Sequence, residues 1–277
     1  MKSKIVNGYK FIKVLGEGTY GRTWLGTKLG VKLGSKLETN KRVAIKIIKT
    51  DKDRHYKAEI DGLKQILPQC QPYTVCLLDH FKEDGKMYIV MNYVSGKNLS
   101  DLILSSSLDS RQSSKKIYRD LKAGLKIMHK LNLAHQDIKT TNVMFDGSYY
   151  KYVDFGLACP FNDPLPYPCE AIGTRYAAPL DVVESKTRMT FEQIKAHDVW
   201  SLGVLLLRWY TINKKNYYKD LMMIYTGVQE WVFGDLYKPK YYGFPKMMLD
   251  EEIDKTPEFI KTVLFVYLDR KYQNRKL

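Results

Sequence analysis

The apolar pattern of this chain changes once along its length, at Ser95-Gly96, and that change limits the folds it can adopt. Before this point apolar residues alternate with polar ones in short runs such as residues 41–49, which is typical of strands in an antiparallel sheet. After it they recur at helical spacing, as in residues 111–130. The pattern predicts a bilobal α+β fold, with a small antiparallel β-sheet lobe that carries one main helix (residues 1–93) and a larger, mostly α-helical lobe (residues 94–277).

The same periodicity predicts individual elements. The predicted strands are residues 9–15, 22–27, 41–49, 75–81, 87–94 and 149–153. The predicted helices are residues 53–67, 111–130 and 198–210, and the last is apolar on nearly all sides and therefore buried. The apolar face of the first helix is expected to consist of Tyr56, Ile60, Leu63, Ile66 and Leu67. The Gly- and Lys-rich connection, residues 28–40, is predicted to be an exposed loop or a long hairpin.

Composition places the chain among ordinary globular proteins. With 44% apolar and 27% charged residues in a length of 277, it lacks the bias of disordered, collagen-like or disulfide-scaffold chains. No apolar run approaches the roughly 18 residues that a membrane span needs. Residues 1–8 lack the apolar core of a secretory signal. These features predict an intracellular protein, cytoplasmic or nuclear and not secreted.

The four cysteines, Cys70, Cys76, Cys159 and Cys169, form neither a Cys-x-x-Cys pair nor a set with a histidine at metal-ligand spacing. In an intracellular compartment we expect them to be reduced thiols. The alternative is a regulatory disulfide between Cys159 and Cys169, which both lie in a proline-rich segment.

The net charge of +15 is concentrated in the first 93 residues, which carry 18 Lys/Arg and 9 Asp/Glu. Such a surface attracts polyanions, including nucleotides, acidic proteins and nucleic acids. Its lysines are spaced singly, however, without the interleaved aromatic residues of a single-strand-binding groove. We therefore interpret most of them as solvated surface charge and predict no specific nucleic acid partner.

Two motifs in the first lobe suit phosphate binding. Gly16, Gly18 and Gly21 lie in the turn between the first two predicted strands, where glycines let backbone N–H groups approach phosphates, although the same spacing also suits a plain flexible hairpin. Lys46 lies on the third strand, and Glu59 follows beside the apolar face of the first helix. A carboxylate at the edge of a buried face needs a cation, which favours a Lys46–Glu59 ion pair that directs the ammonium towards phosphates. An outward-facing lysine is the alternative.

The most specific segment is residues 135–142, His-Gln-Asp-Ile-Lys-Thr-Thr-Asn, which directly follows a predicted helix. Asp137 can orient a hydroxyl and accept its proton, Lys139 can neutralise phosphoryl oxygens, and Asn142 can hold a divalent metal. Asp154, at the end of the next short strand, supplies a second metal-ligating oxygen. Each residue alone also fits a polar turn, but a turn does not account for all of them together.

Taken in order, these motifs resemble the eukaryotic-type protein kinase family, serine/threonine branch, over nearly the whole chain. The ordered marks of that family continue with Asp154-Phe-Gly156, Gly173-Thr174-Arg-Tyr176-Ala-Ala178-Pro179 and Asp198-Val-Trp-Ser-Leu-Gly203. The resemblance implies transfer of the γ-phosphoryl group of ATP to serine or threonine hydroxyls of protein substrates, with Mg²⁺ or Mn²⁺ as the metal ion.

The resemblance also implies a role for each site residue. Asp137 is the catalytic base, Lys139 contacts the γ-phosphate, Lys46 contacts the α- and β-phosphates, and Asn142 and Asp154 bind the metal. Met91 is the gatekeeper, and the adenine bonds the carbonyl of Asn92 and the N–H of Val94. The full set of implied ATP-binding residues is Gly16, Gly18, Gly21, Thr23, Ala44, Lys46, Glu59, Met91, Asn92, Val94 and Met144. Asp198 is expected to bond the backbone of the catalytic loop.

The chain departs from the family at four positions. Gln136 replaces the arginine that normally pairs with a phosphate in the activation loop, which predicts activity without phosphorylation of that loop. Leu180 replaces a glutamate that forms a loop-anchoring ion pair. Thr23 replaces a valine over the adenine. Thr141 is neutral where many kinases that select arginine are acidic, which favours substrates with acidic or neutral residues around the target.

Two other functions fit parts of the pattern. Gln136 and Leu180 would also suit a pseudokinase, a nucleotide-binding scaffold with little or no transferase activity. The retained Lys46, Asp137 and Asp154 favour an active enzyme. A basic nucleic-acid binder is disfavoured because no recognisable binding motif accompanies the charge. No feature of the sequence predicts the oligomeric state.

Overall fold

The structure, a computed structural model, describes residues 4–18, 21–29, 41–50, 53–105, 110–161, 189–212 and 277. Its strands are β1 (Ile5–Val6), β2 (Tyr9–Gly18), β3 (Gly21–Lys28), β4 (Arg42–Lys49), β5 (Leu77–Glu83), β6 (Lys86–Asn92), β7 (Lys97–Asn98), β8 (Leu133–Ala134), β9 (Val143–Phe145), β10 (Tyr150–Tyr152) and β11 (Cys159–Pro160). Its helices are α1 (Asp53–Ile66), α2 (Leu99–Leu104), α3 (Ser110–Lys130) and α4 (Phe191–Ile212), with 3-10 turns at Leu67–Gln69 and Thr140–Asn142.

Strands β1 to β6 form one antiparallel sheet in the order β1-β2-β3-β4-β6-β5. The alternation in β4 buries Val43 and Ile45 against the core of the sheet, as the period of two requires. Lys46 is paired with Thr23 on one neighbouring strand and with Ile89 on the other. Because both neighbours of β4 are hydrogen-bonded to it, the backbone of Lys46 is fixed at the centre of the sheet.

Helix α1 packs most of its predicted apolar face into the core. Tyr56, Ile60, Leu63 and Ile66 are buried, as predicted. Leu67, predicted for the same face, is 44% exposed. The helix ends at Ile66 and the chain tightens into the 3-10 turn, which turns this side chain away from the helical stripe.

The second lobe is organised around two long helices. The predicted inner face of α3, Ile117, Leu121, Leu125 and Met128, is fully buried. Helix α4 begins at Phe191, seven residues before the predicted start. The reason is a capping box: the Gln193 N–H donates to Thr190 Oγ1 (3.3 Å), and the Thr190 N–H donates to Gln193 Oε1 (2.8 Å).

The prediction of reduced thiols is wrong for Cys70, Cys76 and Cys159. Cys70 and Cys76 form a disulfide with their Cα atoms 5.3 Å apart, within the range that the bond requires. The chain between them folds back because the N–H and the hydroxyl of Thr74 both donate to the carbonyl of Cys70 (2.9 and 2.6 Å). Cys159 is also disulfide-bonded. Cys169 lies outside the described residues.

The loop closed by this disulfide contacts two parts of the fold that border the site. The Tyr152 N–H donates to the carbonyl of Tyr73 (2.9 Å), which holds the loop against β10. The Cys76 N–H donates to Asn92 Oδ1 (2.5 Å), and the Asn92 N–H donates to the Cys76 carbonyl (3.2 Å). The loop therefore holds the C-terminal end of β6 in place through the two hydrogen bonds between Cys76 and Asn92.

Several predicted features fall outside the part of the chain that the structure describes. They are residues 30–40 of the predicted exposed loop, the motif from Gly173 to Pro179, and Leu180. Among the helices that are described, none is long and apolar enough to cross a membrane.

Candidate active site

Lys46 lies between two carboxylates at the junction of the lobes. Its Nζ is 2.7 Å from Glu59 Oε2 and 2.7 Å from Asp154 Oδ1. Lys46 and Glu59 are both buried. The ion pair expected between Lys46 and Glu59 is therefore present, and Asp154 completes a three-membered cluster that the sequence did not predict.

The pKa values in this cluster are set by burial and by mutual charge. Burial raises the pKa of Glu59 to about 7, an effect that the ammonium of Lys46 only partly offsets. Burial alone would lower the pKa of Lys46, but the charges of Glu59 and Asp154 raise it above its ordinary value. Burial would likewise raise the pKa of Asp154, and Lys46 lowers it below its ordinary value instead. Glu59 is thus the member that takes up a proton nearest neutrality.

The backbone is strained at two positions of the site. Asp154 has a φ of 62° and Gln136 a φ of 61°, left-handed values that non-glycine residues rarely adopt. The turn at Asp154 is completed by Gly156, whose N–H lies 3.4 Å from Asp154 Oδ1. A Cβ atom at Gly156 would lie 3.3 Å from both Asp154 Oδ1 and Lys46 Nζ. Such strain is typical of functional sites, where the surrounding structure holds it in place.

The loop after β8 brings three predicted residues together. Lys139 Nζ lies 2.8 Å from Asp137 Oδ2. Asn142 Nδ2 donates to the carbonyl of Asp137 (2.9 Å) and to its Oδ2 (2.8 Å). The Val153 N–H donates to the carbonyl of Asn142 (3.0 Å), which joins this loop to the residue that precedes Asp154. The two predicted halves of the site are therefore adjacent through backbone contact.

Asp198 holds this loop from inside α4, as predicted. Its Oδ2 accepts the His135 N–H (2.8 Å) and its Oδ1 accepts the Gln136 N–H (2.8 Å). Its Oδ2 also lies 3.0 Å from His129 Nε2. Burial would raise the pKa of Asp198, but the bond and charge of His129 lower it below its ordinary value.

His129 contacts Asp198, and the sequence analysis did not predict this contact. It lies one helical turn after Leu125, which belongs to the buried face of α3. A histidine at the edge of a buried helix face needs a polar partner, so this position is the signal from which the contact could have been found.

The sheet register brings predicted nucleotide-binding residues onto neighbouring strands. Gly16 is paired with Thr23, and Thr23 with Lys46, across β2, β3 and β4. Ala44 is paired with Met91, which is buried. The roles of these residues, and of Asn92, Val94 and Met144 around the adenine, stay predictions.

The three glycines of the β2–β3 turn differ in what surrounds them. A Cβ atom at Gly21 would lie 2.2 Å from the carbonyl oxygen of Ile47, so this glycine is required by the packing of the sheet. Among the described residues, a Cβ atom at Gly16 would meet nothing within 4 Å, and one at Gly18 would meet only the Gly21 oxygen, at 4.0 Å. No described residue fills the space beside Gly16 and Gly18, which suits a phosphate-binding turn.

Comparison with known proteins agrees with this geometry. The protein kinase domain family matches residues 9–234. The CBL-interacting serine/threonine-protein kinase 18 of Arabidopsis thaliana is 27% identical over 97% of this chain and 50% of its own length. The serine/threonine-protein kinase stk11 homolog of Dictyostelium discoideum is 33% identical over 73% of this chain and 35% of its own length.

A third relative is the maternal embryonic leucine zipper kinase of Danio rerio, which is 30% identical over 74% of this chain and 29% of its own length. The chain thus spans half or less of the length of these curated relatives. The family match covers both lobes, and the predicted bilobal α+β fold is confirmed.

Proposed function

The chain belongs to the protein kinase family, and from this premise we propose that it transfers the γ-phosphoryl group of ATP to serine or threonine hydroxyls of proteins. One observation carries the proposal: Lys46 is paired with both Glu59 and Asp154, while the loop of Asp137 and Asn142 is bonded to Val153, the residue before Asp154. A phosphate-directed cation, a carboxylate base and two metal-ligating oxygens are thereby brought to one junction.

In the proposed reaction Asp137 acts on the substrate hydroxyl. Its carboxylate orients the hydroxyl and accepts the proton as the oxygen forms a bond to the γ-phosphorus and the bond from that phosphorus to the ADP oxygen breaks. Lys139, which is 2.8 Å from Asp137 Oδ2, neutralises charge on the transferring phosphoryl group. Asn142 fixes the carboxylate through Nδ2.

The nucleotide is held from the sheet side. Lys46 contacts the α- and β-phosphates, and Glu59 keeps its ammonium in position. The open backbone at Gly16 and Gly18 lies over the phosphates. The adenine lies between Ala44 and Met144, next to the segment from Met91 to Val94.

The donor set fits a magnesium ion, with manganese as the alternative. Asn142 uses its amide nitrogen on Asp137, which leaves its amide oxygen as a ligand atom, and Asp154 supplies a carboxylate oxygen. Hard oxygen donors of this kind bind Mg²⁺ together with phosphate oxygens and water. When bound, the ion supplies charge neutralisation at the phosphates.

Residues near the base also bear on the substrate. Thr141 is exposed beside Asn142 and carries no charge. A neutral residue there gives no attraction for arginine near the target hydroxyl, so the proposed substrates have acidic or neutral residues around it. A peptide array dominated by arginine upstream of serine or threonine would contradict this preference.

The proposal is tested by transfer of radiolabelled γ-phosphate from ATP to a mixed set of serine- and threonine-containing peptides in the presence of Mg²⁺. We expect turnover by the intact chain and its loss in Asp137→Ala, with unchanged nucleotide affinity. The matched control is Asp101→Ala, an exposed aspartate of α2, which should retain turnover. Nucleotide binding by the intact chain without transfer to any peptide would instead indicate the scaffold function.

A further inference from the structure

Helix α3 contains a charge concentration that the proposed reaction does not use. Its 21 residues include seven Lys/Arg and one Asp, a net charge of +6. The whole of residues 94–277 contains 27 Lys/Arg and 21 Asp/Glu. Outside α3 this part of the chain is therefore balanced, with 20 charged residues of each sign, and all of its net charge lies in one helix.

The cations of α3 form a single row along its outer side. At about 100° per residue the row occupies an arc of about 80° and a length of about 22 Å. The members of this α3 row are Lys115, Arg119, Lys122, Lys126 and Lys130. The side chain of Lys122 is half-buried, and those of the other four are exposed.

The one acidic residue of the helix contacts a single member of this row, Arg119. Asp120, the one acid of α3, is fully buried and lies 2.9 Å from Lys116 Nζ, on another side of the helix. Arg119 approaches its other oxygen at 3.3 Å while its own side chain stays 68% exposed. Among the described residues, Lys115, Lys126 and Lys130 have no ion-pair partner.

The α3 row adds little to the stability of the helix that carries it, because repulsion between its members opposes the favourable position of Lys130 in the last turn. Like charges four residues apart repel one another, and Lys115 and Arg119, Lys122 and Lys126, and Lys126 and Lys130 are all spaced in this way. The inner face of α3 is already stabilised by its buried apolar residues, so the fold does not need these cations. Their charge is available for a partner outside the chain.

On the basis of the proposed function, we propose that the α3 row is a docking surface for an acidic segment of a protein substrate. Successive cations are separated by about 4.5–6 Å along the helix axis. Acidic residues three or four positions apart on a partner helix match this spacing, and alternate residues of an extended acidic chain come close to it. Opposite charge across such a surface increases the association rate and the specificity of the complex.

A nucleic acid is the less favoured occupant of this surface. The row lies on the convex side of a single helix, whereas single-strand-binding grooves are concave to the strand and supply several stacking platforms. The aromatic residue beside the row, Tyr118, is half-buried and already accepts a hydrogen bond from Lys122 Nζ (3.0 Å). A protein chain, in contrast, must approach the enzyme in every turnover that the proposed reaction requires.

The test compares two double variants of equal net charge. Lys115→Glu/Lys126→Glu reverses two exposed members of the α3 row, and Lys10→Glu/Lys13→Glu reverses two exposed lysines of β2. Binding is measured by fluorescence anisotropy with a labelled oligoglutamate peptide, an oligoglutamine peptide of the same length, and single-stranded and duplex DNA. Turnover is measured with dephosphorylated casein, which is acidic, and with a short neutral serine peptide.

We expect oligoglutamate to bind the unmodified chain, and the α3 double variant to weaken that binding about tenfold, since each reversal replaces an attraction by a repulsion. The same variant should raise KM for casein without changing kcat. Its kcat and KM for the short neutral peptide should be unchanged. The β2 double variant should change neither the affinity for oligoglutamate nor the KM for casein by more than about twofold. Oligoglutamine should not bind.

Three results would overturn the inference. They are no binding of oligoglutamate, an equal loss of oligoglutamate affinity in the two double variants, or binding of DNA that is tighter than that of oligoglutamate and depends on Lys115 and Lys126 in the same way. The last result would identify the row as a nucleic acid surface. Failure of the proposed function is a separate result, because it would appear as absent turnover of every peptide while the anisotropy measurements still report on the α3 row.

Discussion

Lys46 Nζ lies 2.7 Å from Asp154 Oδ1, although 108 positions of sequence separate the two residues. This contact joins the central strand of the sheet to the second lobe. Together with Glu59, it holds the ammonium of Lys46 between two carboxylates.

Removal of either partner of this contact is expected to abolish phosphoryl transfer. Lys46→Met and Asp154→Asn should each lower kcat/KM for ATP at least about 100-fold, because each removes a charge arranged around the phosphates. Lys49→Met, which alters an exposed lysine of the same strand, is the matched control and should leave the rate unchanged. Steady-state kinetics with varied ATP checks this, and an active Asp154→Asn enzyme would contradict it.

Glu59 should give the free energy of unfolding a distinctive pH dependence. Its pKa is raised by burial to about 7 in the folded chain, above its ordinary value of 4.5, so the folded state binds this proton more tightly than the unfolded state. The stability that Glu59 contributes is therefore fully present below about pH 4.5 and is lost as the pH rises through about 7.

Urea titrations of the nucleotide-free chain and of Glu59→Gln at several pH values test this dependence. The difference in unfolding free energy, intact chain minus variant, should fall between pH 4.5 and 7 and then level off. Subtraction of the variant removes the contribution of the distant Asp198, whose lowered pKa gives the opposite slope. A difference that rises with pH would show that Lys46 dominates the titration of Glu59.

Asp198 is expected to contribute strongly to stability. Asp198→Asn replaces one acceptor oxygen by a donor that faces the N–H of His135 or of Gln136, and leaves those buried groups poorly paired. The loss should be about 3–5 kcal/mol, the range for breaking a buried charged contact. Glu192→Gln, an exposed change on the same helix, should cost no more than about 0.5 kcal/mol. Thermal and urea unfolding check both values.

The glycines of the β2–β3 turn should respond differently to alanine. Gly21→Ala should destabilise the chain by about 1–3 kcal/mol, because the new Cβ would overlap the Ile47 carbonyl. Gly16→Ala meets no atom of the described residues and should leave stability nearly unchanged, yet raise KM for ATP at least about fivefold by filling the phosphate space. Unchanged ATP kinetics in Gly16→Ala would contradict phosphate binding at this turn.

Activity should not depend on phosphorylation of the activation loop. Gln136, buried beside Asp198, offers an uncharged amide where the family has an arginine that pairs with a phosphate. Phosphatase treatment should therefore leave turnover unchanged. If treatment abolishes turnover while circular dichroism shows an intact fold, another cation performs this pairing.

The long elements of the fold can be predicted because their apolar residues alone determine which face is buried. Ile117, Leu121, Leu125 and Met128 mark α3 without any tertiary information. Strands of two or three residues, such as β7 and β11, are too short to show a period and form only through distant partners. The start of α4 could have been predicted from Thr190 and Gln193, which form a capping box ahead of the apolar run.

The site was partly predictable for a different reason. The Lys46–Glu59 contact follows from a carboxylate at the edge of a buried face, and the sequence shows both residues. The contact of Lys46 with the third member, Asp154, depends on how the two lobes pack together. A local sequence pattern gives no information about that packing. The disulfide between Cys70 and Cys76 likewise depends on how their short loop folds back, and spacing alone gave no sign of it.

The dependence of the catalytic loop on Asp198 has a consequence for biosynthesis. Asp198, which accepts the N–H groups of positions 135 and 136, is translated about sixty codons after them, within α4. Domains acquire structure from the N-terminus as the chain emerges from the ribosome, so the sheet can form while the loop still lacks its anchor. We expect a nascent chain that ends before α4 to hold its first lobe folded and yet to be unable to transfer phosphate.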